Sequence, residues 1–194
     1  MGISCGLLSM KQLPTKSSLL AFDLILEQAE IKAGNIAADF GCGNSLFFLY
    51  ALLTLVGEKG SVYAIDVLPQ IIDTVKREIR HHNLSGIIPL QANLDLPKNL
   101  GLDKKLFDQI FIISTLHQSA NSLAMISEAS RVLKDTGSLI IVDWHTDSVH
   151  PLGPHHSRRL GEQTVIETAE TLGLSLYKQF KAGPYHYGLI FKNN

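Results

Sequence analysis

Residues 36–45, IAADFGCGNS, decide the fold that the sequence predicts. The apolar run Ile36–Phe40 leads into a glycine doublet, and the helix-length apolar run Leu46–Val56 follows at once. Glycine permits a tight turn and lets the backbone approach a ligand, and the start of the next helix offers unpaired N–H groups. A strand, a glycine turn and a helix in this order indicate a nucleotide site.

Short apolar runs alternate with helix-patterned segments along the rest of the chain. The spacing of these runs leaves room for one helix in each interval, which predicts parallel strands joined by helical crossovers. The last two runs are joined without a helix and predict an antiparallel terminal hairpin. The predicted strands are Ile36–Phe40, Val62–Ile65, Ile87–Leu90, Gln109–Ser114, Leu139–Val142, Leu174–Lys181 and Tyr185–Lys192. The fold class is therefore predicted to be a doubly wound α/β sheet.

Apolar stripes mark the helices that should cover this sheet, and an additional helix is predicted over Ser17–Glu30, with Ser17 or Ser18 as its cap. No linker divides the 194 residues, so we expect a single domain over residues 1–194, with residues 1–16 flexible. The three stripes are Ile71, Ile72, Val75 and Ile79; Leu123, Ile126, Ala129 and Leu133; and Val165, Ile166, Ala169 and Leu172.

The composition excludes several classes of protein. Lys and Arg total 17 against 18 Asp and Glu, so the net charge of −1 gives no broad footprint for a nucleic-acid backbone. Two cysteines, Cys5 and Cys42, cannot build a disulfide framework and suit a reducing cytosol. The run Leu46–Val56 is far shorter than the ~20 residues of a membrane-spanning helix. We expect a cytoplasmic protein with no nucleic-acid partner and no membrane span, and the oligomeric state stays open.

Asp66 ends the second predicted strand, at the offset from Gly43 where an acid accepts hydrogen bonds from ribose hydroxyls. The alternative is an ordinary turn in which Asp66 caps the helix that begins at Pro69. A dinucleotide site would require a third glycine near Ser45, and Asp39 ahead of the glycines disfavours a pyrophosphate. The pattern favours a nucleoside that carries an ammonium and a sulfonium.

These stretches resemble a known family. DFGCG at 39–43 with Asp66 is similar to the first motif and second-strand acid of class I S-adenosylmethionine (SAM)-dependent methyltransferases. Residues 107–117 and 129–137 are similar to its fourth-strand motif and to the segment before its fifth strand. The resemblance covers nearly the whole chain, and its branch is that of ubiquinone and menaquinone C-methyltransferases, grouped as methyltransferase type 11. It implies a three-layer, Rossmann-like, mostly parallel seven-stranded sheet with an antiparallel C-terminal hairpin strand.

The resemblance also implies SAM as the cofactor, S-adenosylhomocysteine as the product, and in-line methyl transfer to a small-molecule acceptor. Two departures from the family pattern matter. Ser45 stands at the usual third glycine, and the segment after the third strand is one residue short, which leaves open whether Asn93 or Asp95 faces the adenine. The implied cofactor contacts are Asp39, Gly41, Cys42 and Gly43 for the methionine part, Asp66 for the ribose, Val67, Asn93 and Leu94 for the adenine side, and Ser114 beside the sulfonium.

His117 follows the fourth strand at the edge of the sheet where ligands sit in such folds, so it is the candidate catalytic residue. It could take a proton from an acceptor hydroxyl or enol near neutral pH; alternatively, it caps the helix expected near Ser119. Trp144, Arg158 and Tyr185 are the candidate acceptor contacts, with packing and turn formation as the alternative.

Four histidines, at 145, 150, 155 and 156, invite a metal hypothesis, but they straddle Pro151, Gly153 and Pro154 and lack regular ligand spacing, so we predict no metal. The run 76–82, KREIRHH, is expected to be a solvated helix face. Two other functions stay open: a non-catalytic SAM-binding or partner-binding module, and an NAD-dependent oxidoreductase, which the missing third glycine and the terminal hairpin disfavour.

Overall fold

The computed structural model describes residues 19–44 and 46–193. Two short 3-10 turns, Leu116–Gln118 and His156–Arg158, interrupt the loops of the second half. The helices are α1 (Phe22–Gln28), α2 (Leu46–Val56), α3 (Pro69–His82), α4 (Ser122–Val132) and α5 (Glu162–Thr171). The strands are β1 (Ile36–Phe40), β2 (Ser61–Asp66), β3 (Ile87–Gln91), β4 (Phe107–Ile113), β5 (Leu133–Trp144), β6 (Leu174–Lys181) and β7 (His186–Asn193).

The seven strands form one sheet in the order β3-β2-β1-β4-β5-β7-β6. Strands β1 to β5 pair in parallel, and β7 pairs antiparallel with both β5 and β6. The strand order reverses at β1, which has β2 on one side and β4 on the other. The prediction of a doubly wound, mostly parallel sheet with an antiparallel terminal hairpin is confirmed.

Two apolar cores, one on each face of the sheet, make the fold three-layered. Helices α1, α2 and α3 bury side chains such as Ile25, Phe48 and Val75 against one face. Helices α4 and α5 bury Met125, Val165 and others against the opposite face. The sheet is thus covered on both sides, as parallel strands require. Among the described helices, none combines the length and the apolarity needed to cross a membrane.

One predicted crossover helix is wrong, because residues 92–106, between β3 and β4, form turns only. An ion pair fixes this segment in place of helical packing. Arg131 donates twice to the buried Glu128 carboxylate, at 2.7 Å each, and once to the Leu102 carbonyl at 3.0 Å. The segment is therefore tied to α4 rather than laid on the sheet by an apolar stripe.

The helix predicted over Ser17–Glu30 is also wrong in extent, because α1 covers only Phe22–Gln28; Ser17 and Ser18 lie outside the described residues. The backbone before α1 bonds to the C-terminal hairpin instead of extending the helix: the Ala21 N–H donates to the Ala182 carbonyl at 2.8 Å. Glu30, at φ +52°, has left the helical conformation.

The first residues of α4 and β5 also differ from the predicted ones. The helix begins at Ser122 rather than near Ser119, because the Asn121 side chain accepts the Ala124 N–H as its N-cap. The fifth strand is longer than the predicted Leu139–Val142, since it starts at Leu133 directly after α4. Leu133 is therefore a strand residue, and Leu123, placed on the buried stripe by the helical pattern, is 52% exposed.

Candidate active site

The carboxyl ends of β1, β2, β4 and β5 meet at one edge of the sheet, next to the reversal of strand order. Open α/β sheets bind ligands at this position, because the loops after neighbouring strands diverge there and leave a crevice. The described side chains at these strand ends include Asp39, Asp66, Ser114 and Asp143. Three of the four carry acid groups, which differ in how they are hydrogen-bonded.

The turn after β1 uses its two glycines differently. Gly41, at φ +79°, packs so closely on Thr115 that a Cβ atom there would overlap the Thr115 side chain. Gly43, at φ +51°, has no atom of the described residues within 4 Å of the position its Cβ would take. Gly41 is therefore required by packing inside the protein, whereas Gly43 presents bare backbone to open space. Such a position lets a ligand approach the main chain.

Asp39, at the end of β1, is 3% exposed, and no hydrogen bond to its carboxylate is found among the described residues. Burial, and then the nearby charge of Asp66, raises its pKa to about 7. A buried acid without a partner is destabilised in its charged form, and an adjacent cation would relieve this cost. Cys42, between the glycines, is 2% exposed, and burial raises the pKa of its thiol, which leaves it unreactive.

Asp66, at the end of β2, holds the glycine turn against the start of α3. Its carboxylate accepts the Gly43 N–H at 2.9 Å and the Leu68 N–H at 2.9 Å. The alternative that Asp66 caps α3 is wrong, because the helix has no side-chain cap and the Leu68 N–H that Asp66 accepts lies before its first residue. A carboxylate offers about four acceptor sites, so Asp66 retains the capacity to accept ribose hydroxyls.

The side of the crevice assigned to adenine is partly apolar and open. Val67 is 49% exposed beside Asp66. Asp95 accepts hydrogen bonds from the Ser119 hydroxyl and the neighbouring backbone, which ties it to the start of α4. The Asn93 side chain accepts the Asp95 N–H at 3.0 Å, and Leu94 is buried in the core. Asp95 is therefore the more constrained of the two residues left open for adenine, and Leu94 turns its side chain away from solvent.

Ser114, directly after β4, adopts φ +52°, a left-handed conformation that is uncommon outside glycine. Its N–H donates to the Val142 carbonyl at 2.8 Å, and its carbonyl accepts from the Gln118 side chain at 2.8 Å. These bonds hold the strained residue, and such strain concentrates at functional sites. The geometry turns the chain sharply into the Leu116–Gln118 turn.

His117 and Asp143 form a pair at this edge that links β4 to β5. The Asp143 carboxylate is 2.7 Å from His117 Nδ1 and accepts the His117 backbone N–H at 3.1 Å. It also accepts the Trp144 N–H at 2.8 Å. The His117 side chain is 11% exposed and that of Asp143 is 1% exposed. Asp143 thus orients the imidazole with Nδ1 inward, and among the described residues no group bonds to Nε2. Sequence reasoning missed this role of Asp143, although its place at the end of the fifth strand was a usable signal.

Aromatic side chains surround Trp144 on the β5–β7 side of the site. The Trp144 ring lies 4.2 Å from His186 and 6.2 Å from Tyr185, centroid to centroid, and is 5% exposed. Arg159 lies 5.5 Å above the same ring and donates to the carbonyls of His145, Ser148 and Pro154. Arg158, the arginine selected from the sequence, is exposed. Arg159, rather than Arg158, therefore packs on this side of the site, and neighbouring side chains of the protein cover Trp144.

His186 is buried beneath this cluster, and burial lowers its pKa to about 4. Its Nδ1 lies 3.1 Å from the Leu19 carbonyl, so the ring is neutral at physiological pH and fastens the segment before α1 to the site. The other histidines near the loop have separate partners. They are His145 with Glu162, His150 with Tyr185, His155 with Ser157 and His156 with the Thr146 carbonyl.

The residues at the glycine turn fit SAM. Its ammonium and sulfonium need an anion, and Asp39 is a buried acid without a described partner. Its ribose needs a hydrogen-bond acceptor, and Asp66 stands where β2 ends. Its chain must approach the backbone closely, and Gly43 leaves that approach open.

Comparisons with known proteins agree with this chemistry. A family described as a methyltransferase domain matches residues 31–180. A SAM-dependent methyltransferase from Aquifex aeolicus superposes with a TM-score of 0.80 at 27% identity, covering 92% of each chain. A TehB-like SAM-dependent methyltransferase from Corynebacterium glutamicum shares the fold, with a TM-score of 0.68, 18% identity and coverage of 89% and 88%.

Two demethylmenaquinone methyltransferases are similar in sequence. That of Staphylococcus haemolyticus is 25% identical over 119 residues, 61% of this chain and 47% of the relative. That of Bacillus mycoides is 26% identical over 115 residues, 59% of this chain and 46% of the relative. The chain thus spans about half the length of these relatives. The family match covers most of the sequence, and the chain belongs to the class I SAM-dependent methyltransferases.

Proposed function

We propose that this methyltransferase acts on a small aromatic acceptor with an ionisable hydroxyl, such as a quinol, and that His117 removes the hydroxyl proton. The observation that carries this proposal is the buried contact of 2.7 Å between His117 Nδ1 and Asp143. A histidine that only capped a helix would not need an anionic partner of this kind, and α4 is capped by Asn121 instead.

Three groups would hold the cofactor. Asp39 would face the ammonium and sulfonium, Gly43 would admit the methionine chain, and Asp66 would accept hydrogen bonds from the ribose. Cys42 and Ser114 line the same turn, and Val67 and Asn93 would flank the adenine. When bound, SAM supplies a methyl group on a positively charged sulfur.

The task of the protein is then to orient the acceptor, exclude water and remove a proton. The Asp143 carboxylate favours the tautomer of His117 with hydrogen on Nδ1, which leaves Nε2 with a free lone pair. A positioned base of this kind makes the acceptor more nucleophilic by taking its hydroxyl proton. Asp143 acts as a positioning residue.

The acceptor class rests on two observations. The relatives named demethylmenaquinone methyltransferases act, by that name, on an aromatic quinone-derived molecule. The wall opposite the cofactor turn carries Tyr185 and Trp144, which suits an aromatic ring. Because Arg159 and His186 pack on Trp144, contact between the acceptor and that ring would require both side chains to move. Tyr185 is half-buried and Arg158 is exposed, so both could contact an acceptor directly. The cytosol stays the predicted compartment, since Cys42 is a free thiol.

The test uses a short-chain demethylmenaquinol as the acceptor and His117→Ala as the variant. We expect kcat to fall by about 10²–10⁴-fold, the usual contribution of a positioned base, while the affinity for S-adenosylhomocysteine changes less than twofold. His155→Ala, which removes an exposed histidine of the loop, is the matched control and should keep full activity. Equal losses of kcat and cofactor affinity in His117→Ala would make the histidine structural and would contradict the proposal.

A further inference from the structure

Three side chains at the C-terminal turn of α3 converge away from the methyl-transfer site. The pattern of residues 76–82 indicates only a solvated helix face. In the structure, the ligand-type atoms of Glu78, His81 and His82 all lie within 4.8 Å of one another. This is the one such group of three found among residues 19–44 and 46–193, and the histidines at 145–156 do not form another.

Two of the distances within this group are close to those of a tetrahedral zinc site, and the third is below 4.8 Å. His81 Nδ1 lies 3.2 Å from His82 Nε2, and His82 Nε2 lies 3.4 Å from a carboxylate oxygen of Glu78. Ligands about 2.0–2.1 Å from a tetrahedral zinc are separated from each other by about 3.3–3.4 Å. Only small side-chain movements would therefore be needed to place one ion at bonding distance from all three atoms.

The surroundings add two further arguments. The group lies at the C-terminal end of α3, where the unpaired carbonyls give a partial negative charge that favours a cation. The hydroxyl of Tyr50, on α2, is buried without a hydrogen-bond partner among the described residues, and its ring packs edge-on against His82 with centroids 6.0 Å apart. A water bound to the metal would supply the fourth ligand and a polar neighbour for this hydroxyl.

We propose that Glu78, His81 and His82 bind Zn²⁺, with water as the fourth ligand. Two imidazoles and a carboxylate are a common protein set for this ion, and they leave one position open. The ion would brace the last turn of α3, which holds all three ligands. Because α3 has 14 residues, its C-terminal end lies about 20 Å from Asp66. The ion would therefore stabilise the fold without taking part in methyl transfer, and the proposal does not depend on the acceptor.

The test is calorimetric titration of the untagged full chain with zinc chloride, together with thermal unfolding. We expect one zinc ion per chain, and a rise in Tm of about 5–10 °C when free zinc is a hundredfold above Kd. His81→Gln/His82→Gln should abolish both effects, and Glu78→Gln should weaken binding by about tenfold or more. The Glu78 side chain is partly exposed and only ion-paired, so this last variant is expected to fold.

The matched control is His155→Gln/His156→Gln, which removes another pair of adjacent histidines whose ring centroids are 6.4 Å apart. This control should bind zinc like the parent protein. The proposal is overturned if the parent chain binds no zinc, if His81→Gln/His82→Gln retains the zinc response, or if the response disappears in the control instead. Circular dichroism of each variant would establish that it is folded.

Discussion

The two halves of the active-site edge satisfy their polar groups in opposite ways. On the β1–β2 half, Asp39 is buried with no described hydrogen-bond partner and Gly43 faces open space. On the β4–β5 half, Asp143 already accepts three N–H groups and His117 is clamped by two of them. Among the described residues, the Asp39 carboxylate thus has no hydrogen-bond partner, whereas the polar groups of the β4–β5 half bond to one another.

This difference separates binding from chemistry. A polar group that has no hydrogen-bond partner in the free protein gains the most favourable interaction energy when a complementary ligand binds. The β1–β2 half should therefore control cofactor affinity. A base held in one orientation loses no freedom during the reaction, so the β4–β5 half should control the rate. Substitutions in the two halves should therefore affect different measured quantities.

In the β1–β2 half, the largest expected effect is the change in the stability of the protein that Asp39→Asn causes. The pKa of Asp39 is raised from its ordinary 3.8 to about 7. Between these values the folded protein keeps a proton that the unfolded chain releases, so stability falls as pH rises from about 4 to 7. The amide avoids this cost, and we expect the variant to be more stable at pH 8 by on the order of 4 kcal/mol.

Urea unfolding at pH 4 and pH 8 measures this difference. The two proteins should differ little at pH 4, because this is close to the ordinary pKa of 3.8 and little of the cost of ionisation has yet been incurred. The same variant should bind SAM more weakly, because the anion facing the cationic ligand is gone. A variant that is less stable than the parent at pH 8 would show that Asp39 is already satisfied in the free protein.

Asp66→Ala should weaken SAM binding by about 10- to 100-fold, equivalent to the ~1.5–3 kcal/mol of hydrogen bonds to a charged group. The loss has two sources, since the ribose acceptor disappears and the Gly43 N–H loses the carboxylate that fixes it. Calorimetry with SAM gives the affinity directly. Asp73→Ala, which removes an exposed acid of α3 paired with Lys76, is the control and should bind normally. An unchanged affinity in folded Asp66→Ala would remove the ribose assignment.

A smaller effect is expected when a methyl group is added to a glycine. Gly43→Ala and Gly57→Ala both place alanine at a positive φ, with no described atom within 4 Å of the new Cβ. Each should lose about 1–2 kcal/mol of stability for the left-handed backbone. Only Gly43→Ala should also lose SAM affinity, by about tenfold, because Gly57 lies at the end of α2. Equal SAM affinities in the two variants would show that the ligand does not approach Gly43.

The β1–β2 half could be predicted from the sequence because the sequence patterns that indicate it are local. Glycines at 41 and 43 directly follow a strand, and Asp66 ends the next one, so chain order alone places them together. The sequence could not separate their roles. The need for Gly41 comes from Thr115, a residue 74 positions away, and that contact has no signature in the turn itself.

The β4–β5 half was harder to predict because its contacts join segments that are distant in sequence. His117 meets Asp143 across two strands, and Arg159 rather than its neighbour Arg158 turns inward over Trp144. Which of two adjacent arginines points inward depends on the path of the 146–157 loop, which composition does not reveal. The turns at 92–106 likewise replaced an expected helix because the buried pair of Glu128 and Arg131 anchors them.

Asp143→Asn tests the separation of the two halves most directly, with single-turnover methyl transfer to a demethylmenaquinol and the affinity for S-adenosylhomocysteine measured on the same protein. The amide can donate to His117 Nδ1, which favours the tautomer whose Nε2 carries hydrogen and cannot act as a base. We predict that methyl transfer slows by about 10²-fold or more while the affinity changes less than twofold. A variant that loses affinity and transfers the methyl group at the parent rate would contradict the account.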